Sequence, residues 1–250
     1  MSNGLVGCDP EFFVMDSSGT IIPGTVAFPT TVMTRWGYIN HDGIAVEINP
    51  LPSKSGQEMY EKVNMLIDVI KNEYGLKPDF ASVCIDVDRD IIQQAGEANP
   101  SALEFGCSPD LNAWGDEPSY RGDASGITRR YSGGHFHLDT GAIYPQKLEQ
   151  IRTLERTVGL IINSFCDQDK EQERRKFYGK SGCCRVTNYG FEWRVPSSAI
   201  FVDSKLPMVT DGIMRIVSGK TKVTKLLDDE AVKEVINTGQ VVEDAWNFIA

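Results

Sequence analysis

The sequence predicts an α+β fold: a central antiparallel sheet shaped as a cup, with helices on its outer face, in one domain over residues 1–250. Three observations carry this. The segments CDPEFFV, GIAVEINP, GGHFHL and GFEWRVP alternate apolar and polar residues with the period of a strand that has one buried and one wet face. Two longer segments instead repeat apolar residues at helical spacing. Length and composition suit a single core: of 250 residues, 41% are hydrophobic and 24% charged, ordinary globular proportions.

In the first strand segment Cys8, Phe12 and Val14 oppose Asp9 and Glu11; in the second Ile44, Val46 and Ile48 oppose Ala45, Glu47 and Asn49. A helix follows near 55–74. Ser55 and Glu58 form a capping-box pattern, and Met59, Val63, Leu66 and Ile70 recur until Gly75 stops the run. Residues 105–126 interleave Gly, Pro, Asp and Ser with Trp114 and Tyr120, which reads as a long structured loop. In GGHFHL, Phe136 and Leu138 oppose His135 and His137. Pro145 opens a second helix, near 145–165, with the stripe Leu148, Ile151, Leu154, Val158, Ile161 and Phe165. The run DQDKEQERRK at 167–176 reads as a solvated helix end or surface helix. In GFEWRVP, Phe191, Trp193 and Val195 oppose Glu192 and Arg194. Helical spacing returns after Pro207 (Val209, Ile213, Ile216), and a last helix follows Asp228.

Nothing at the start resembles an export signal and no apolar run reaches eighteen residues, so a soluble, cytoplasmic protein with no membrane partner is expected. Cys8, Cys84, Cys107, Cys166, Cys183 and Cys184 lack CxxC spacing, and reduced thiols are the expectation. Adjacent Cys183 and Cys184 read as small apolar side chains in a loop or strand. A net charge of −10 disfavours nucleic acid as a partner.

A wet sheet face is usually filled with Thr, Ser, Lys and Glu. These four strands supply Asp, Glu, Glu, Asn, His, His, Glu and Arg, and two of the three histidines of the chain stand in one HxH. Taken alone, the HxH fits a structural role or zinc as well as it fits catalysis. Taken together, the set describes a polar cup. Carboxylates with an imidazole hold hard divalent cations, magnesium completes its shell with waters and phosphates, and an arginine beside them holds a phosphoryl group through its planar fork. That is equipment for phosphoryl transfer. There is no GxxxxGK[ST], GxGxxG or HRD, so a nucleotide would lie on the sheet itself.

The pieces GCDPEFFV, DGIAVEINPLPS, FGCSPDLNAW, SGGHFHL, YGKSGCCR and YGFEWRVPSS, in this order over about residues 7–198, resemble the glutamine synthetase and gamma-glutamylcysteine synthetase superfamily. Within it they are most similar to the phage-type carboxylate-amine ligases called COOH-NH2 ligase type 2. The resemblance implies a glutamine-synthetase-like antiparallel cup, ATP and Mg2+ as cofactors, and the cytoplasm of a host cell as the setting. It implies Glu11, Glu47, His135 and Glu192 as metal ligands, His137 at ATP phosphate, and Arg194 as the cation that steadies the transferring phosphoryl group. Glu47 and Glu192 thereby join Arg194 as catalytic. Asp9 and Asn49 are second-choice ligands or outer partners. Lys180 and Arg185, otherwise a solvated basic loop, become candidates for nucleotide phosphate or substrate carboxylate, and Arg129 and Arg130 have weaker support of the same kind. The chain is much shorter than full-length glutamine synthetases, so neither ring assembly nor glutamate and ammonia are carried over.

The expected reaction phosphorylates a small-molecule or peptide carboxylate with ATP, after which an amine displaces phosphate from the acyl phosphate to form an amide. A phosphotransferase on the same scaffold and a non-catalytic nucleotide- or metabolite-binding protein are the alternatives. A rise in ADP release that depends on the amine separates the first from the ligase.

Overall fold

The computed structural model describes residues 4–104, 111–117 and 126–249. The chain forms β1 (Val6–Cys8), β2 (Glu11–Met15), β3 (Ile21–Ile22), α1 (Gly24–Ala27), β4 (Val32–Met33), β5 (Gly37–Asp42), β6 (Ala45–Pro50) and α2 (Gly56–Glu73). Next come β7 (Lys77–Asp79), β8 (Cys84–Asp86), α3 (Arg89–Ala98), β9 (Leu111–Asn112), β10 (Arg129–Tyr131), β11 (Phe136–Asp139) and α4 (Tyr144–Glu155). Then follow α5 (Gln168–Arg175), β12 (Cys183–Val186), β13 (Gly190–Trp193), α6 (Leu206–Val217) and α7 (Asp229–Asn237), with short 3-10 turns between.

Every strand pairing is antiparallel. One sheet has the order β1-β11-β13-β12-β9, a second runs β3-β2-β6-β5-β4 with β7 also on β2, and β8 pairs with β10. The first two meet at Asp9–Pro10. Proline has no N–H to continue a ladder, so the strand predicted from Cys8 to Val14 divides into β1 and β2. Across this break the amides of Asp9 and Glu11 donate to the carbonyls of His135 and Gly133, and Pro10 accepts from the amide of Ile48. The sheets therefore curl round one stretch of chain into a half-barrel.

The convex side is the core. Phe12, Val14, Val46, Ile48, Phe136, Leu138, Phe191 and Trp193 are buried there in a single cluster. Helix α2 covers β5 and β6 with Met59, Val63, Leu66 and Ile70, and α4 covers β12 and β13; α6 packs against both helices. At the start of α2 the Ser55 hydroxyl accepts from the Glu58 amide, but the Glu58 carboxylate takes the Lys54 amide rather than that of Ser55. A smaller cluster of Phe13, Ile44, Ala45, Val87, Ile92, Ala95 and Ala102 lies under α1 and α3, two helices the sequence reading did not include. Ile44 belongs to this cluster and not with Val46 and Ile48, because it precedes β6 and follows the turn at Gly43.

Two expectations are corrected. The helix read over 145–165 ends at Glu155, and its stripe continues through 3-10 turns at Val158–Leu160 and Ile162–Phe165. Thr153 and Thr157 turn their hydroxyls back onto the carbonyls of Glu149, Thr153 and Leu154, which competes with the helix ladder. The charged run forms α5, yet Glu171 and Arg174 are fully buried and Arg175 is 2% exposed. Glu171 ion-pairs with both arginines, and Arg174 also donates to the carbonyl of Val195. A solvated helix would place all three in water. Cys183 and Cys184 are buried in β12, and none of the five described cysteines is in a disulfide. Most of the expected 105–126 loop lies outside the described residues; within it, Trp114 donates to Glu155. Among the described residues no helix is long and apolar enough to cross a membrane.

Glu155 pins the end of α4 to the sheet. Its buried carboxylate accepts from the Ser181 hydroxyl, the Gly182 amide, and the indoles of Trp114 and Trp193. Glu155→Gln replaces one acceptor oxygen by an amino group that faces donors. We expect a loss of about 3 kcal/mol in urea unfolding, from buried donors left unpaired; a change under about 0.5 kcal/mol would show that these four bonds carry no net weight.

Candidate functional site

Strand register sets chemistry out in two rows on the concave face. In the first sheet His137 stands opposite Gly7 on one side and Glu192 on the other, and Glu192 stands opposite Arg185. In the second, Glu47 stands between Glu11 and Asn40. His135 immediately precedes β11, Arg194 immediately follows β13, and Asp9 lies at the break between β1 and β2. A cavity of about 360 Å³ is lined by Asp9, Glu11, Glu47, Asn49, His135, His137, Arg185, Glu192 and Arg194. Tyr38, Asn40, His41 and Asp42 complete its wall.

Asp9 is wedged between the two imidazoles. Its Oδ1 lies 2.9 Å from His135 Nδ1 and its Oδ2 lies 3.1 Å from His137 Nε2, while the His135 amide donates to Oδ1 at 3.0 Å. Burial alone would raise the Asp9 carboxyl, but the two imidazoles outweigh it and hold the group below the usual carboxylate range. Burial, with Arg194 nearby, lowers the His135 imidazole. At His137 burial acts downward too, but Asp9 dominates and the net shift is upward.

Glu11 is 3% exposed, and its carboxylate receives the Gly133 amide at 3.0 Å and the Tyr178 hydroxyl at 2.8 and 3.0 Å. Burial raises it well above the usual range, and Asp42, Glu47 and Asp9 add to the effect. Glu47 is pushed up to about 8 by burial and then by Asp9 and Asp42, although Asn49 donates to it at 2.7 Å. Glu192 is the compensated carboxylate: Arg185 and Arg194 each reach its Oε2 at 3.0 Å. The cup therefore crowds acidic groups where water is scarce, and bare carboxylates repel one another strongly there.

Of the residues read from sequence, Lys180, Arg129 and Arg130 do not line the described cavity. Arg129 forks onto Asp86 at 2.8 and 2.7 Å, and Arg130 donates to the carbonyls of Ile127 and Arg129. The sequence reading missed Tyr178, although it begins the YGKSGCCR piece, and it missed Tyr38, Asn40 and Asp42, which alternate along β5.

A divalent cation fits this donor set. His135 Nδ1 and His137 Nε2 are buried without a hydrogen bond, and with an Asp9 oxygen they form a group whose ligand atoms all lie within 4.8 Å of one another. One ion can draw such a group together. Imidazoles suit iron, nickel, copper and zinc, while carboxylates suit magnesium and manganese, and the cup offers both kinds of donor.

A family model described as Phage phiEco32-like COOH.NH2 ligase-type 2 matches residues 122–236. That range includes His135, His137, Tyr178, Arg185, Glu192 and Arg194, and leaves Asp9, Glu11 and Glu47 outside it. Curated proteins and solved structures each give no match to the chain.

With its carboxyl at about 8, Glu47 carries a proton at pH 7 when no cation is present. A cation that needs its carboxylate must displace that proton, so affinity rises with pH and levels off above about 8. Calorimetric titration with Mn2+ at pH 7, in two buffers of different ionisation enthalpy, should show proton release. Equal heats in both buffers would remove Glu47 from the ligand set.

Proposed function

We propose that this chain is an ATP- and magnesium-dependent carboxylate-amine ligase, a single amidoligase domain that works in the cytoplasm on small-molecule or peptide substrates. The observation that carries the reading is the convergence on one concave face of Asp9, Glu11, Glu47, His135, His137 and an arginine-clamped Glu192. The match of residues 122–236 to a family of ligases supports the choice of reaction class.

In this reading Glu11, Glu47, His135 and Glu192 hold the cations, and the contact of Asp9 with both imidazoles supports counting it among the ligands. Bound magnesium supplies charge neutralisation at the phosphates of ATP. His137 and Arg185 face the nucleotide phosphates, and Lys180 lies outside the cavity lining. Arg194 is 3% exposed, so its charge acts in a low-dielectric setting, and its planar fork suits the equatorial oxygens of a phosphoryl group in transfer. Its contact with Glu192 keeps the guanidinium in place before substrate arrives. The γ-phosphoryl passes to the substrate carboxylate with release of ADP; the amine then attacks the acyl carbon, phosphate leaves, and the ammonium protons are lost to the medium.

The test uses pooled carboxylates and amines with ATP, followed by product mass, and hydroxylamine in place of the amine. We expect a hydroxamate and stoichiometric ADP. AMP with pyrophosphate, or phosphorylated acceptor that no amine consumes, would sink the proposal. Glu47→Gln should abolish turnover with unchanged thermal unfolding, whereas Glu192→Gln should abolish turnover and also lower stability, because it removes a buried carboxylate from two arginines. Arg194→Lys should lower kcat about 100-fold, with a smaller change in KM for ATP, because the missing fork matters most in the transition state.

A further inference from the structure

Tyr178 packs half-buried against the site in an arrangement that leaves its ring little choice. Its amide donates to the Arg174 carbonyl at 2.7 Å, just past the end of α5, and the Arg174 guanidinium lies 5.7 Å from the ring centre. Gly133 permits the approach: a Cβ at that position would lie 2.5 Å from a ring carbon of Tyr178. Gly179 follows with a φ of 64°, and a Cβ there would meet the Arg174 guanidinium at 2.4 Å. The ring meets His135 edge-on, with centroids 6.1 Å apart.

The phenol oxygen has three polar neighbours within hydrogen-bond distance: Glu11 Oε1 at 2.8 Å, Glu11 Oε2 at 3.0 Å and His135 Nε2 at 3.0 Å. A phenol has one proton to give. Two near-equal contacts to the oxygens of one side chain suit a carboxylate that accepts it, and a cation in the cup keeps that carboxylate ionised. The contact with His135 is then satisfied only if the Nε2–H donates to the phenol oxygen. The remaining nitrogen, Nδ1, carries a lone pair beside Asp9. Its 2.9 Å contact with Asp9 Oδ1 lacks the alignment of an N–H···O hydrogen bond.

We propose that Tyr178 is a positioning residue: by taking the Nε2–H of His135 and giving its own proton to Glu11, it fixes the tautomer that offers Nδ1 to a cation held with Asp9 and His137. One hydroxyl thereby orients two ligands at once, Glu11 by donation and His135 by acceptance. This rests on the reading of the cup as a cation site. Outer partners of this kind commonly change metal affinity by about 10- to 100-fold when removed.

The test is Tyr178→Phe, which keeps the ring against Gly133 and Arg174 and removes only the hydroxyl. Nitrogen-15 spectra of histidine-labelled wild-type protein in excess Mg2+ should show His135 as the Nε2–H tautomer, and the variant should show a mixture. Mn2+ affinity, measured by calorimetry, should fall about 10- to 100-fold in the variant. An Nδ1–H tautomer in the wild type, the pattern required if Glu11 carries a proton and donates it to Tyr178, overturns the proposal. So does a variant that keeps both the single tautomer and wild-type affinity within twofold. Wild-type protein that binds neither ion sinks the cation-site reading and this proposal with it, whereas an Nδ1–H tautomer in protein that does bind sinks the proposal alone.

Discussion

Two sheets share one stretch of chain, Val6 to Met15, and the site depends on that sharing. Pro10 ends the ladder of β1 with β11, and the strand resumes one residue later as the partner of β6. Residues on either side of the break therefore face the same hollow from different sheets. Asp9 meets His135, just before β11, and His137 within it, and Glu11 meets Glu47 of β6. Had the strand run on without the break, alternation would still have put Asp9 and Glu11 on one face, but only one of the two sheets would have supplied their neighbours. Backbone bonds from Asp9 and Glu11 to His135 and Gly133 tie the junction down on the side where chemistry is densest.

That geometry creates an electrostatic cost which the protein offsets unevenly. Glu192 has two arginines, and Asp9 has two imidazoles. Among the described residues, the hydrogen bonds to Glu11 and Glu47 come from neutral donors, Tyr178, Gly133 and Asn49. Neutral donors compensate a buried carboxylate only partly, which is why both groups titrate high. A region in which some carboxylates are paired and adjacent ones are left half-compensated has room for positive charge from outside. The half-compensated pair sits directly cross-strand in the second sheet, Glu11 on β2 opposite Glu47 on β6, so one added positive charge would serve both carboxylates.

Strand parity is a local property, and what depends on it was legible in the sequence. Glu47, Glu192, His137 and Arg194 could be assigned to a polar face from their immediate neighbours, and the structure places them round one cavity. Asp9 was harder to read because Pro10 interrupts the strand. The same parity runs through GYINHD, where Tyr38, Asn40 and Asp42 alternate, but the segment lacks strong apolar partners at every second position to announce it. Tyr178 could not be reached this way: it lies on no strand, and its relation to Glu11 spans 167 positions. The break of α4 after Glu155 was equally hidden, since the apolar stripe passes through it without a change of spacing. Fold class, in short, followed from periodicity, while helix ends and supporting residues followed from side-chain bonds that periodicity does not record.

The charged run of α5 shows how composition misleads when three residues of ten share a face. Glu171, Arg174 and Arg175 stand at i, i+3 and i+4, the spacing of one helical stripe, and that stripe is buried. Burial of such a cluster is a poor route to stability, because the desolvation of three charges offsets most of their attraction. Its value here is positional. Arg174 and Arg175 both donate to the carbonyl of Val195, one residue past Arg194, and Arg175 also holds Gly179 and Asn163. The same helix end carries Tyr178 to Glu11 and His135. Apolar side chains of equal volume would fill the space but could not hold the Val195 and Gly179 carbonyls, and those carbonyls fix the chain on either side of the cup. The cluster also has a net positive charge and lies behind a phenol that touches a carboxylate, so it acts against the surplus of negative charge in front of it. A surface-like composition inside the protein is thus explained by what it orients, not by what it stabilises.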